Sequence, residues 1–407
     1  MTTLKSFLLL LCIGFSLQAY AQEKVTTREV LSLDKGWSFH KGDIPYPIIK
    51  GHNATYRNAK AGYVSGAASP NYDDSSWRIV DIPHDWAIEG RVNPEANLSQ
   101  GYYDRGFGWY RRKFKLSPED KGKHLELQFD GIATHATIWV NGTVLHRNWC
   151  GYTSMYIDIT PYATYGDDVN TIAVRVDAEA QEGWWYEGAG IYRHTWLVKR
   201  SPLHIITDGV FANPVKKTES QWEIPVEVSL YNSGKLPANS EVEVSLFAPD
   251  GKSITTQTQK LSVGALGEGI SNLSMTVSDP QLWSPDSPAL YKVKTIVKQN
   301  GTVTDEVETK CGFRTIRFDN NTGFWLNGEN IKIKGVCNHQ DHAGVGVAVP
   351  DALWEFRLRK LKEMGVNAYR VAHNPVAKEF MAACDSMGIM VLDENRLFNT
   401  SPEYVRQ

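Results

Sequence analysis

The sequence predicts a multidomain chain: a jelly-roll β-sandwich, an immunoglobulin-like β-sandwich, and the first three β/α units of a TIM (β/α)8 barrel. Three observations predict it. Short alternating strand patterns with turn signals recur from about residue 27 to 313, and no long helical pattern interrupts them. After residue 330 the periodicity changes to strand, helix, strand, helix, strand. Each of these last three strands runs into a polar cluster, the arrangement by which parallel β/α folds place their chemistry.

The N-terminus reads as an export signal over residues 1–21. Lys5 supplies the positive start, and Phe7 to Leu17 is an apolar stretch too short to span a bilayer. Ala19-Tyr-Ala21 is a small-x-small cleavage site. The mature chain is expected to begin near Gln22 and to be secreted or periplasmic, with no membrane association after cleavage. Cys12 follows Leu11, where a lipidation signal would carry a small residue. The 407 residues allow two to four domains, each able to bury its own core. A net charge of -3 with mixed signs makes no electrostatic case for nucleic acid. Aromatic residues make up 11% of the chain, 13 of them Trp, which suits sandwich cores and also sugar stacking. Cys150, Cys311, Cys337 and Cys384 match no zinc spacing and are expected as free buried thiols, Cys384 on the buried face of a helix.

Residues 22–202 are read as the jelly roll. Strand-like runs span residues 109–114, 124–129, 136–140 and 171–176, with Leu125, Leu127 and Phe129 alternating as one buried face. Asn141-Gly142 between two runs predicts a type I′ hairpin. Residues 203–313 are read as the second sandwich. Val226, Val228 and Leu230 alternate, as do Val242, Val244 and Leu246, and Asp250-Gly251 and Asn300-Gly301 predict tight turns. Residues 314–407 are read as part of a barrel. A short hairpin over 319–328 leads into strands at 331–336, 366–371 and 389–392. Between them, Trp354, Leu358 and Leu361 share one helix face, and Phe380, Cys384 and Met387 another. Both helices stop at glycine, Gly365 and Gly388, where a helix C′ residue sits. A closed barrel takes roughly 250 residues, so the sequence is expected to stop within one, at Gln407.

Taken in order, these stretches resemble glycoside hydrolase family 2. The resemblance rests on Trp77 with Ile82-Pro-His-Asp-Trp86, Gly108-Trp-Tyr-Arg-Arg112, Trp139-Val-Asn-Gly142, Gly188-Ala-Gly-Ile-Tyr-Arg193, Leu282-Trp-Ser-Pro285, Gly335-Val-Cys-Asn-His339, Arg370 with His373-Asn-Pro375, and Asp393-Glu394. Each motif alone is weak; their shared order across three domains is specific. The resemblance implies retaining hydrolysis of a β-linked sugar by two carboxyl groups about 5–5.5 Å apart. In the family both are glutamates after the fourth and seventh barrel strands, positions expected beyond Gln407. Neither role is therefore assigned to a residue of this chain, which is expected to be inactive alone. The wording of the barrel motifs favours β-galactose, with β-glucuronidase, β-mannosidase and a non-catalytic carbohydrate-binding protein as alternatives. No cofactor or metal is implied, and a homo-oligomer of the full-length protein stays open.

Substrate-binding candidates follow from the strand ends and the resemblance. His339 resembles the family histidine lining the sugar subsite; otherwise it is an exposed loop histidine. Arg370, a charge in a barrel strand, needs a carboxylate partner, either a later nucleophile or Glu394. Glu394 faces the site and orients its neighbours, or forms a structural ion pair with Arg370. His373 and Asn374 line the pocket floor, unless Asn374 only caps the next helix. In the aromatic loop Gly183-Trp-Trp-Tyr-Glu-Gly188, Trp184 or Trp185 stacks on a sugar, or packs between domains. Some β-galactosidases carry a cation-touching acidic residue in this loop; here tryptophan stands there. His84, Asp85 and Trp86 are expected to hold the first sandwich together, and Arg193 to form an interdomain ion pair.

Overall fold

The computed structural model describes residues 28–61, 65–179 and 181–395. The export signal and the C-terminal stretch from Arg396 to Gln407 lie outside the described residues. The first unit packs a four-stranded antiparallel sheet on a six-stranded one, from Glu29–Ser32 to Thr195–Arg200. Alternation supplies the layer between them: Leu125, Leu127 and Phe129 of one sheet meet Ile138, Val140, Ile172, Val174 and Val176 of the other, all essentially inaccessible. Asn141 and Gly142 both have positive φ, 51° and 81°, as a type I′ turn requires. The helix at His52–Ala61 goes beyond the sequence expectation of strands alone. Its residues 52–56 are exposed and carry no apolar stripe that would mark it in the sequence.

The second unit is the immunoglobulin-like sandwich, Leu203–Ala212 to Thr302–Cys311, with two antiparallel sheets closing on Val226, Val228, Val242, Val244 and Val293. Asn300-Gly301 forms the expected two-residue turn, both φ positive. Asp250-Gly251 instead sits in a longer loop between Ala238–Phe247 and Ser253–Val263, closed by Ala248 and Lys252.

The third unit begins with a three-stranded hairpin, Ile316–Asp319, Gly323–Leu326 and Glu329–Asn330. Three parallel strands follow in sequence order, Gly335–Asn338, Ala368–Val371 and Met390–Leu392, linked by the helices Asp351–Glu363 and Lys378–Met387. Gly365 and Gly388 follow the helices with φ of 84° and 73°, as expected. The first strand starts later than its hydrophobic run. Asn367 accounts for this: its amide accepts from Lys334 N–H at 2.8 Å and donates to the Lys332 carbonyl at 3.0 Å, where a ladder would otherwise run. Among the described residues no cysteine is in a disulfide. Cys150, Cys311 and Cys384 are buried as expected, but Cys337 is exposed, because it points from the first strand toward Arg370 and not into a helix-covered layer.

The units pack directly on one another. Trp283 of the second sandwich donates to the Asp385 carbonyl at 2.8 Å, and Lys362 reaches the Pro285 carbonyl at 2.7 Å. The first sandwich meets the opposite, carboxyl end of the barrel strands through Arg193, His194, Asp85 and Lys378.

Candidate functional site

In a parallel sheet with right-handed crossovers, residues just past each strand gather at one edge. Here that edge brings together His339, Arg370, His373 and Glu394. The third strand ends at Leu392, so Asp393 and Glu394 are already off the ladder; Asp393 is exposed and Glu394 turns inward. Glu394 Oε1 pairs with Arg370 Nη2 at 2.5 Å, and its Oε2 lies 3.1 Å from His373 Nδ1. A carboxylate only accepts, so Nδ1 carries the proton toward Glu394. Arg370 also donates to Cys337 Sγ at 2.6 Å. Glu394 thus both pairs with Arg370 and orients a neighbour; the two readings of it coincide. Arg370 keeps 41% of its side chain exposed. The acid/base and nucleophile glutamates expected beyond Gln407 fall outside the described residues.

Trp185 backs this cluster. Its ring centroid is 5.3 Å from that of His373 and 6.1 Å from that of His339, and the two histidines meet edge-to-face at 5.2 Å. The indole N–H donates to Tyr152 Oη at 2.8 Å, which fixes the ring from the sandwich side. Trp185 is 6% exposed and packs with Tyr152, Tyr192 and the barrel residue Val347, so it is the interdomain ring. Trp184, at 75% exposed, is the one presented outward. Burial pushes the His339 imidazolium down, with Arg370 and His373 adding to it against Asp341. His339 Nδ1 is buried with no hydrogen-bond partner among the described residues.

Asn374 corrects an expectation. It does not cap the following helix, whose N-cap is Ala377, because two residues intervene. It is 1% exposed and its amide has no partner among the described residues. Arg193 corrects another. It does cross between units, but to oxygens that are not carboxylates, Gln340 Oε1 at 3.1 Å and Pro375 O at 2.7 Å, while Tyr152 O at 3.2 Å holds it within its own sandwich. It thereby ties His373-Asn-Pro375 and the residue after His339 to the sandwich. The sequence does not mark Gln340 or Asp85, which reaches Val347, as site neighbours. Their partners lie far off in the chain, and only Gly346 hints at a close approach.

One trio could be considered for a metal. Ligand atoms of His194, Asp351 and Glu379 lie within 4.8 Å of one another. His194 already contacts Asp34 at 2.7 Å through Nδ1 and Asp351 at 3.1 Å through Nε2, so both nitrogens act as N–H donors. The Asp34 hydrogen bond leads in raising its pKa to about 9, with burial opposing and Asp351 assisting. A raised folded value means that the stabilisation is full below the ordinary histidine range and lost as pH rises through about 9. The thermal midpoint should therefore fall between pH 7 and 10, and fall less in His194→Gln; parallel curves would refute the clamp.

Three family models match in succession: the glycosyl hydrolase 2 galactose-binding domain-like model over residues 95–222, the glycosyl hydrolases family 2 model over 203–314, and the family 2 TIM barrel domain over 318–402. The chain belongs to glycosyl hydrolase family 2. Relatives include the β-galactosidase BoGH2A of Bacteroides ovatus, 36% identical over 94% of this chain and 43% of that protein. A putative β-glucuronidase of Formosa agariphila is 37% identical over 80% of this chain and 31% of its own length. Among solved structures, Bacteroides uniformis β-glucuronidase 2, covalently bound to cyclophellitol-6-carboxylate aziridine, superposes with a TM-score of 0.82 at 28% identity, over 93% of this chain and 44% of that one. A β-glycosidase from Bacteroides vulgatus gives 0.79 at 36%, over 90% and 44%. This family 2 chain thus spans less than half the length of these relatives.

Proposed function

We propose that this family 2 chain builds the sugar-receiving wall of an exported retaining β-galactosidase. The observation that carries the reading is the constellation of Trp185, His339 and His373 beside the Arg370–Glu394 pair, at the carboxyl edge of the barrel strands. An aromatic body with two imidazoles and a paired charge suits a polyhydroxylated ring: apolar face against the wall, hydroxyls to ring nitrogens. His373 is oriented by its Nδ1–H on Glu394. His339, whose charged form burial disfavours, can offer Nε2 to a hydroxyl, its Nδ1 being buried. Because Arg370 and His373 occupy both oxygens of Glu394, that carboxylate positions others and takes neither the acid nor the nucleophile role. By resemblance those two roles belong to glutamates after later barrel strands.

Galactose is favoured over glucuronic acid on two grounds. The β-galactosidase relative matches across nearly the whole chain. In addition, the Arg370 charge is already matched by Glu394, whose carboxylate would repel a uronate. The test is turnover of p-nitrophenyl β-galactoside, β-glucuronide and β-mannoside by the protein at its natural length, with galactose binding by the 407-residue chain measured calorimetrically. Galactoside turnover at natural length, with binding but no turnover by the shorter chain, is expected. Preference for the glucuronide would overturn the sugar assignment. Glycan binding without any turnover at natural length would overturn the enzyme in favour of a carbohydrate-binding protein.

A further inference from the structure

Asp85 lies in the first sandwich, yet its carboxylate is where three distant chain segments meet. It is 2% exposed. Oδ1 accepts from the Ala87 and Ala189 N–H groups, both at 3.0 Å. Oδ2 accepts from Tyr186 Oη–H at 2.7 Å and from the Val347 N–H at 3.1 Å. Tyr186 follows Trp185 in the aromatic loop. Val347 ends the loop that leaves the first barrel strand through His339. We infer that Asp85 is a positioning residue that sets the Trp185 loop and the His339 loop against each other. The inference rests on the proposed sugar site for what is positioned; the docking of the two loops stands without it.

The surrounding backbone is shaped to this one carboxylate. Gly346 has φ +59°, and a Cβ there would lie 2.1 Å from Asp85 Oδ2. A Cβ on Gly188 would lie 2.6 Å from the same oxygen and 2.3 Å from Val347 Cγ2. The two loops therefore approach as closely as bare backbone permits. Four donors face one group that only accepts, an arrangement matched to an ionised carboxylate. Asparagine does not match it: in either amide orientation the NH2 faces a backbone N–H, those of Ala87 and Ala189 on one side or that of Val347 on the other.

Asp85→Asn tests this. Hydrogen exchange over residues 183–188 and 339–349 should rise together, while the second sandwich is unchanged. At natural length, kcat/KM for the β-galactoside should fall by roughly tenfold or more, mostly in kcat, since a small misplacement of a site wall costs rate before it costs affinity. Asp74→Asn removes a buried ion-pair partner of Arg111 elsewhere in the same sandwich and serves as the control. At a matched drop in thermal midpoint it should leave both loops and kcat in place. Tyr186→Phe, which keeps three of the four donors, should give a smaller change of the same kind, and it serves if Asp85→Asn does not fold. Exchange rising in one loop only, or equal loss of kcat in the Asp74 variant, would overturn the role. If no glycoside is turned over, the proposed function fails and the paired exchange result alone decides Asp85.

Discussion

Glu394→Gln is expected to lower β-galactoside turnover by roughly 100-fold, the loss that follows when site groups shift by about an ångström. The carboxylate accepts from Arg370 through one oxygen and from His373 Nδ1–H through the other. An amide offers one acceptor and one donor, so either Arg370 or His373 then faces an N–H group. In either orientation Arg370 loses its counter-charge. The circular-dichroism spectrum and thermal midpoint should stay near wild type, because Glu394 is part-exposed at the sheet edge and carries no core packing. Turnover within threefold of wild type would show that the pair is structural only.

Trp185→Ala is expected to have the largest effect on stability, about 3–5 kcal/mol, the range for deleting a buried aromatic and leaving a cavity. The ring fills the seam among Tyr152, Tyr192 and Val347, and its loss also leaves Tyr152 Oη without its indole donor. Sugar affinity should fall with it, since His373 and His339 lose the surface that sets their tilt. Denaturant unfolding of the 407-residue chain measures the first effect and galactose titration the second. Trp184→Ala should leave stability within about 0.5 kcal/mol, the usual span for an exposed substitution. Equal destabilisation by the two would contradict the assignment of the buried and the exposed ring.

What is legible in the sequence is what local periodicity records. The two barrel helices and their stop glycines follow from apolar spacing, and the Asn141-Gly142 and Asn300-Gly301 turns from residues that tolerate positive φ. The sandwich cores follow from strict alternation at Leu125 to Phe129 and Val226 to Leu230. The His52–Ala61 helix is missed because its residues 52–56 face water and carry no apolar pattern. Periodicity starts the first barrel strand too early because Ile331 and Ile333 look like its beginning, whereas Asn367 takes up the backbone groups of Lys332 and Lys334. Arg370, His373 and Glu394 do meet, as strand-end positions indicate. Asp85 and Gln340 carry no local signal, since their partners are set by the docking of separate units.

The Trp185 loop has a consequence for how such a site can change over evolutionary time. The loop hangs between strands of one module while the groups it shapes belong to another, far later in the sequence. Insertions or substitutions at its outward tip, around the exposed Trp184, leave the barrel's own ladder and helices undisturbed. Ligand preference and catalytic framework can thus drift separately, the first recorded in a sandwich loop and the second in the barrel, with Asp85 as the joint that keeps the two in step.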